Sequence, residues 1–285
     1  MAIAAVFALG DGEIAWSEVR WWPLVLAATV AVPLTLMTNA AEFALSARFV
    51  GQRIGPVSAM RTTLLATAAN LLPLPGGAIV RVRALALVGV QMGNATLATL
   101  LMAAGWVGVA AALATIGMRL AGASGVVVSV GAGLAVVSLG AGVMMVARLS
   151  RDRRVSYGWF VLVLAVELLS VTVAAARILL VMVALGFEAS VGVALTLALA
   201  GVLANVVGVV PAGLGVREAL SAGLAVLVAL PASVGFLVSL LDRIVGLVVA
   251  APAAFVVAAA TGSAGRDAGD ASDREESRHV DDDGR

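Results

Sequence analysis

The sequence predicts an all-α, polytopic membrane helix bundle with two re-entrant, broken-helix hairpins arranged as an inverted repeat. Three observations predict it. The composition is 62% hydrophobic and 12% charged, with a mean hydropathy of +1.09, more apolar surface than a soluble chain of 285 residues can cover. Five stretches reach the ~20 apolar residues that a spanning helix needs. Two further apolar regions are interrupted in similar ways, by Ala69–Arg81 and Ala204–Arg217. Each runs from Ala-Asn through apolar residues into a Pro/Gly break and on to an arginine. With one gap, Pro75, Gly77, Val80 and Arg81 fall on Pro211, Gly213, Val216 and Arg217. A broken helix leaves backbone groups unpaired, which lipid does not tolerate unless protein or a watery cavity surrounds them. Paired interruptions in two halves of a membrane protein point to a transport site.

In chain order, residues 1–20 are read as an N-terminal interfacial segment, 21–260 as the membrane domain and 261–285 as a disordered polar, acidic cytoplasmic tail. Residues 1–10 are apolar but lack a basic n-region and a small-residue cleavage site, so they do not read as a signal peptide. The spans are about 22–47, 94–117, 123–147, 156–185 and 232–260. The composite regions are 56–93 and 190–230. In each, the limb before the break nearly spans, and the limb after it (81–92, 217–230) is only ~18–21 Å at 1.5 Å per residue.

Arginines favour hairpins over simple threading. Arg48, Arg53 and Arg61 follow the first span, and Arg148, Arg151, Arg153 and Arg154 follow the third. The positive-inside rule puts both clusters in the cytoplasm only if 56–93 dips in and returns. The halves then have opposite orientation, with 123–147 as a glycine-rich linking helix packed within the bundle. The plasma membrane is the expected location.

Composition also excludes several classes. Net charge is +1, which gives no case for nucleic acid; all 18 basic residues are arginine. There is no cysteine, and the one histidine, His279, sits in the tail. Disulfides, thiol nucleophiles and cysteine metal sites are thereby absent, no metal-ligand cluster or catalytic constellation is present, and no cofactor or enzyme activity is expected. Gly213-Leu214-Gly215 lacks the strand, third glycine and lysine of a nucleotide loop.

Charges inside spans cost ~2.5–3.5 kcal/mol each on insertion scales and need a partner or a wet cavity. The set is Glu42, Glu167, Arg177, Arg217, Glu218, Asp242 and Arg243. Arg217 follows Gly213 and Gly215 and opens a short helix, whose free N–H groups and dipole favour an anion. A guanidinium there completes a phosphate cradle, with Arg81 its weaker counterpart in the first hairpin. The plainer reading is that Arg217 pairs with Glu167 or Asp242 to hold the hairpin. Arg243 joins the headgroup-binding set, while Glu167, Glu218 and Asp242 are candidate proton or ion-pair carboxylates. Asn70 and Asn205 stand ready to satisfy freed backbone groups. Pro73, Pro75, Gly76, Gly77 and Pro211 set the turns, since proline removes donors and glycine permits positive φ.

Pro211-Ala212-Gly213-Leu214-Gly215-Val216-Arg217-Glu218-Ala219 resembles the P-x-G-x-G-x-x-E-A signature of the lysylphosphatidylglycerol synthase transmembrane region, a flippase-like membrane domain. Asn70-Leu71-Leu72-Pro73 through Arg81 resembles that family's earlier segment, and Asp242-Arg243-Ile244 its last-helix arginine. Gly76-Gly77-Ala78 stands where relatives often carry a polar or acidic residue. The resemblance covers about 25–258 and implies a stand-alone domain, without the synthase part, that flips, scrambles or holds lipids with anionic headgroups. The competing expectation is a scaffold or accessory subunit for an envelope glycosyltransferase or lipid-modifying enzyme.

Overall fold

A computed structural model describes residues 19–70, 76–151, 157–188, 190–207 and 215–282. Among them the backbone is helical with no strand. Nine helices follow in order: α1 Trp21–Phe49, α2 Pro56–Ala69, α3 Gly76–Leu87, α4 Met92–Leu120, α5 Gly125–Arg151, α6 Tyr157–Ala184, α7 Val191–Val207, α8 Val216–Leu227 and α9 Ala232–Asp282. Helices α1, α4, α5, α6 and α9 are long and apolar enough to cross a membrane. Apart from the C-terminal end of α9, their bounds match the five predicted spans to within a few residues.

Two sets of elements share one plan. The link from α1 to α2 (50–55) and that from α6 to α7 (185–190) are six residues each; α3 and α8 are 12 residues each; the links after those (88–91, 228–231) are four each. The turns agree in hydrogen bonding as well. After α3, the N–H groups of Val88, Gly89 and Val90 donate to the carbonyls of Leu85, Ala86 and Leu85; after α8, those of Val228, Ala229 and Leu230 donate to Ala225, Val226 and Ala225. The second residue of each turn is left-handed, Gly89 at φ 85° and Ala229 at φ 60°. A non-glycine residue is uncommon there, so the turn geometry prevails over local preference at Ala229.

Helices α1 and α6 pack antiparallel. At one end the Arg48 guanidinium lies 5.3 Å from the centre of the Trp159 ring. At the other the Arg20 N–H donates to the Ala184 carbonyl at 2.9 Å. Small residues bring other helices close. A Cβ on Gly117 would stand 2.5 Å from the Gly192 carbonyl oxygen, so α4 and α7 cross with backbones in near contact. Gly235 does the same for α9 on α8, where a Cβ would meet the Ser221 carbonyl oxygen at 2.5 Å.

Two expectations change. The linking helix α5 lies at the periphery: 17% of its apolar window is buried, against 50% for α4 and α9. Gly131 and Gly142 face neighbours, whereas Gly125, Gly133 and Gly140 face open space, so only some of its glycines serve packing. The last helix, expected to end near 260, runs on to Asp282 into the segment read as disordered; no proline follows Pro252 to stop it. Residues 1–18 of the interfacial segment lie outside the described residues.

Candidate functional site

A cavity of about 180 Å³ opens between the two sets of elements. Both broken pairs contribute the ends at which their first helices stop: Thr67 and Asn70 of α2, Ala204 and Asn205 of α7. Its polar wall is made of three guanidinium groups, Arg177 of α6, Arg217 of α8 and Arg243 of α9, with Asn39 of α1 beside them. Val32, Leu36, Leu247 and Ala250 supply the apolar part.

The acids stand behind the arginines. Asp242, one residue before Arg243 on α9, bridges two cations. Arg177 Nε donates to Asp242 Oδ1 at 2.9 Å and its Nη2 reaches the Asp242 carbonyl at 3.2 Å, while Arg217 Nη2 donates to Asp242 Oδ2. Arg243 Nη1 donates to Glu218 Oε1 at 3.0 Å. The other oxygen of Glu218 accepts the Gly215 N–H at 2.9 Å, closing a cap on α8 whose N-cap Gly215 has φ 84°. Glu218, Asp242 and Arg243 are all buried. Neighbouring residues on a helix point ~100° apart, which lets Asp242 and Arg243 serve different partners.

Glycines make room for the guanidiniums. Cβ atoms at Gly201 and Gly246 would stand 3.5 Å from Arg217 Cζ and 3.3 Å from Arg177 Nη2. Arg217 Nε is buried without a hydrogen-bond partner. That donor lies next to the N-terminus of α8.

The first broken pair is built differently. Asn70, the C-cap of α2, accepts the Gly77 N–H through Oδ1 at 2.7 Å and so ties the start of α3 to the end of α2. A Cβ on Gly76 would sit 2.2 Å from the Ala69 carbonyl oxygen, and one on Gly77 2.5 Å from Asn70 Oδ1. Only glycine allows that approach. Arg81 lies outside the cavity lining and donates to Glu42 Oε1 at 3.0 Å. Asn205, in contrast to Asn70, donates to the Gly201 carbonyl of its own helix.

Several predicted residues thus converge and others do not. Arg217 and Arg243 line the cavity; Asp242 and Glu218 hold them from behind; Arg81 turns to Glu42 instead of joining them. Glu167 meets neither Arg217 nor Arg243, because Asp242 and Glu218 occupy those positions. Pro73, Pro75, Pro211 and Gly213 lie outside the described residues. The register also differs from the one-gap alignment: Arg81 is the sixth residue of α3 and Arg217 the second of α8, because the interruption is longer in the second pair. In the sequence Arg177 stands out only as an intramembrane charge, and Gly201 and Gly246 carry no signal; a glycine opposite a mid-span arginine is the pattern that marks them. Among the described residues no three His, Cys, Asp or Glu side chains gather as a metal site. Comparison of the sequence with family models and with curated proteins finds no match.

Proposed function

We propose that this protein binds an anionic, phosphate-bearing lipid, a phospholipid or a polyprenyl-phosphate-linked lipid, and carries its headgroup across the bilayer through the arginine cavity. The observation that carries the reading is the cavity wall itself: three guanidiniums face it, and two carboxylates back them. The group retains one positive charge, suited to a headgroup with one negative charge such as a phosphate diester. Arg217 supplies a donor without a partner at a helix N-terminus, where dipole and N–H groups also favour an anion. The apolar side chains of the lining suit acyl or prenyl carbon.

Re-entrant hairpins in an inverted repeat fit this role, and two features support them. The repeated link and helix lengths set α1–α4 against α6–α9. The antiparallel packing of α1 on α6 supports a returning first hairpin: with α4 and α5 each crossing once, α2 and α3 must begin and end on one face. The family resemblance of the Pro211–Ala219 segment points the same way.

The reading is tested in phosphatidylcholine vesicles doped with a fluorescent phosphatidylglycerol, by quenching the outer leaflet. Exchange between leaflets should exceed that of protein-free vesicles and fall at least tenfold in Arg217→Ala at equal reconstitution. Exchange no faster than in protein-free vesicles would remove the carrier and favour a scaffold for an envelope enzyme.

A further inference from the structure

The intramembrane charges form two groups, and the first has one acid more than it has cations. Arg81 of α3 pairs with Glu42 of α1, which is buried. Glu167 of α6 is fully buried and feels the charges of both Glu42 and Arg81, yet neither of its carboxyl oxygens has a hydrogen-bond partner. The helices packed on α6 offer no spare cation to it. Helix α4 has only Arg119, in its last turn, and α7 has no charged residue. Arg48 of α1 is stacked on Trp159, eight residues before Glu167, and Asp242 and Arg243 of α9 are held in the cavity group. An ionised carboxylate with neither a cation nor a hydrogen bond is strongly disfavoured in such surroundings, whereas a protonated one is neutral.

We propose that Glu42, Arg81 and Glu167 form a site for one proton, which rests on Glu167 while Arg81 pairs with Glu42. One guanidinium bonds Glu42 and acts on Glu167 through its charge, so the neutral arrangement holds one proton whichever acid takes the arginine. When Arg81 passes to Glu167, the O–H of Glu167 gives up its proton and Glu42 takes one up; charge and protons balance, and the proton has in effect moved between two helices. The Arg81 side chain is 21% exposed against 6% for Glu42, so the arginine is the member of the group in touch with the outside. The site stands apart from the cavity arginines and does not depend on what the cavity carries.

Infrared spectroscopy of the full chain in lipid nanodiscs at neutral pH reads the proton directly, as a carboxylic-acid carbonyl band. Wild type should show the absorbance of one such carboxyl in the difference against Glu167→Gln. Glu42→Gln should also lose it, because the freed Arg81 then ionises Glu167. Arg81→Gln should gain a second, since two acids are left without a cation. If Glu167→Gln removes no band, the proton site is overturned on the wild-type comparison alone. A band that survives Glu42→Gln overturns the exchange of Arg81 between the acids.

Discussion

The two broken helix pairs share a frame and use it for different ends. Both continue into a 12-residue helix that closes in the same turn. In the first pair, backbone contact does the closing: glycines sit against Ala69 and Asn70, and the arginine stands a turn into the helix, facing Glu42. In the second, side-chain charge does it: Glu218 caps the helix and holds Arg243, while Arg217 stands at the helix start beside the cavity. The same backbone plan therefore gives one wall that is mainly structural and one that is cationic. Moving one arginine by about a turn, ~5.4 Å along the axis, is enough to change what it faces.

Removing an acid from each group separates the two pairs most strongly. Asp242→Ala leaves the buried Arg177 and the part-exposed Arg217 without their shared carboxylate and should cost about 3–5 kcal/mol, read as loss of monodisperse protein or a large fall in Tm in detergent. Glu42→Gln should cost much less, because it frees a single, partly exposed arginine that has Glu167 nearby, whereas Asp242 holds two, one of them the buried Arg177; equal losses for the two variants would mean that the groups are equivalent. The backbone closure of the first pair is probed by Gly76→Ala, whose Cβ would overlap the Ala69 carbonyl, at about 1–3 kcal/mol in thermal unfolding. The two asparagines separate next. Asn70→Ala removes the cap on α3 and should cost about 1 kcal/mol. Asn205→Ala loses only a bond within its own helix and should stay within about 0.5 kcal/mol. Smallest of all, Gly140→Ala on the open face of α5 should leave Tm unchanged.

Spans and interruptions were legible because each is a local property: apolar length gives the former, and Pro/Gly clusters flanked by Asn70 and Asn205 the latter. Partners were not. Arg81 and Glu42 lie 39 residues apart, and Arg177 and Asp242 lie 65 apart, and nothing in either neighbourhood names the other. Matching Arg81 with Arg217 by motif failed in register, because the two breaks differ in length and helix position decides what an arginine faces. The peripheral place of α5 was hidden for a related reason: glycines permit close packing in lipid but do not enforce it.

On the proposed function, Arg217 of the second pair, and not Arg81 of the first, holds the lipid. Native mass spectrometry of protein purified in mild detergent tests it with a matched pair of variants, Arg217→Gln and Arg81→Gln. Wild type and Arg81→Gln should both retain one phosphate-bearing lipid, and Arg217→Gln should lose it. Bulk lipid alone in all three, or a lipid lost with Arg81 and kept without Arg217, would contradict the claim.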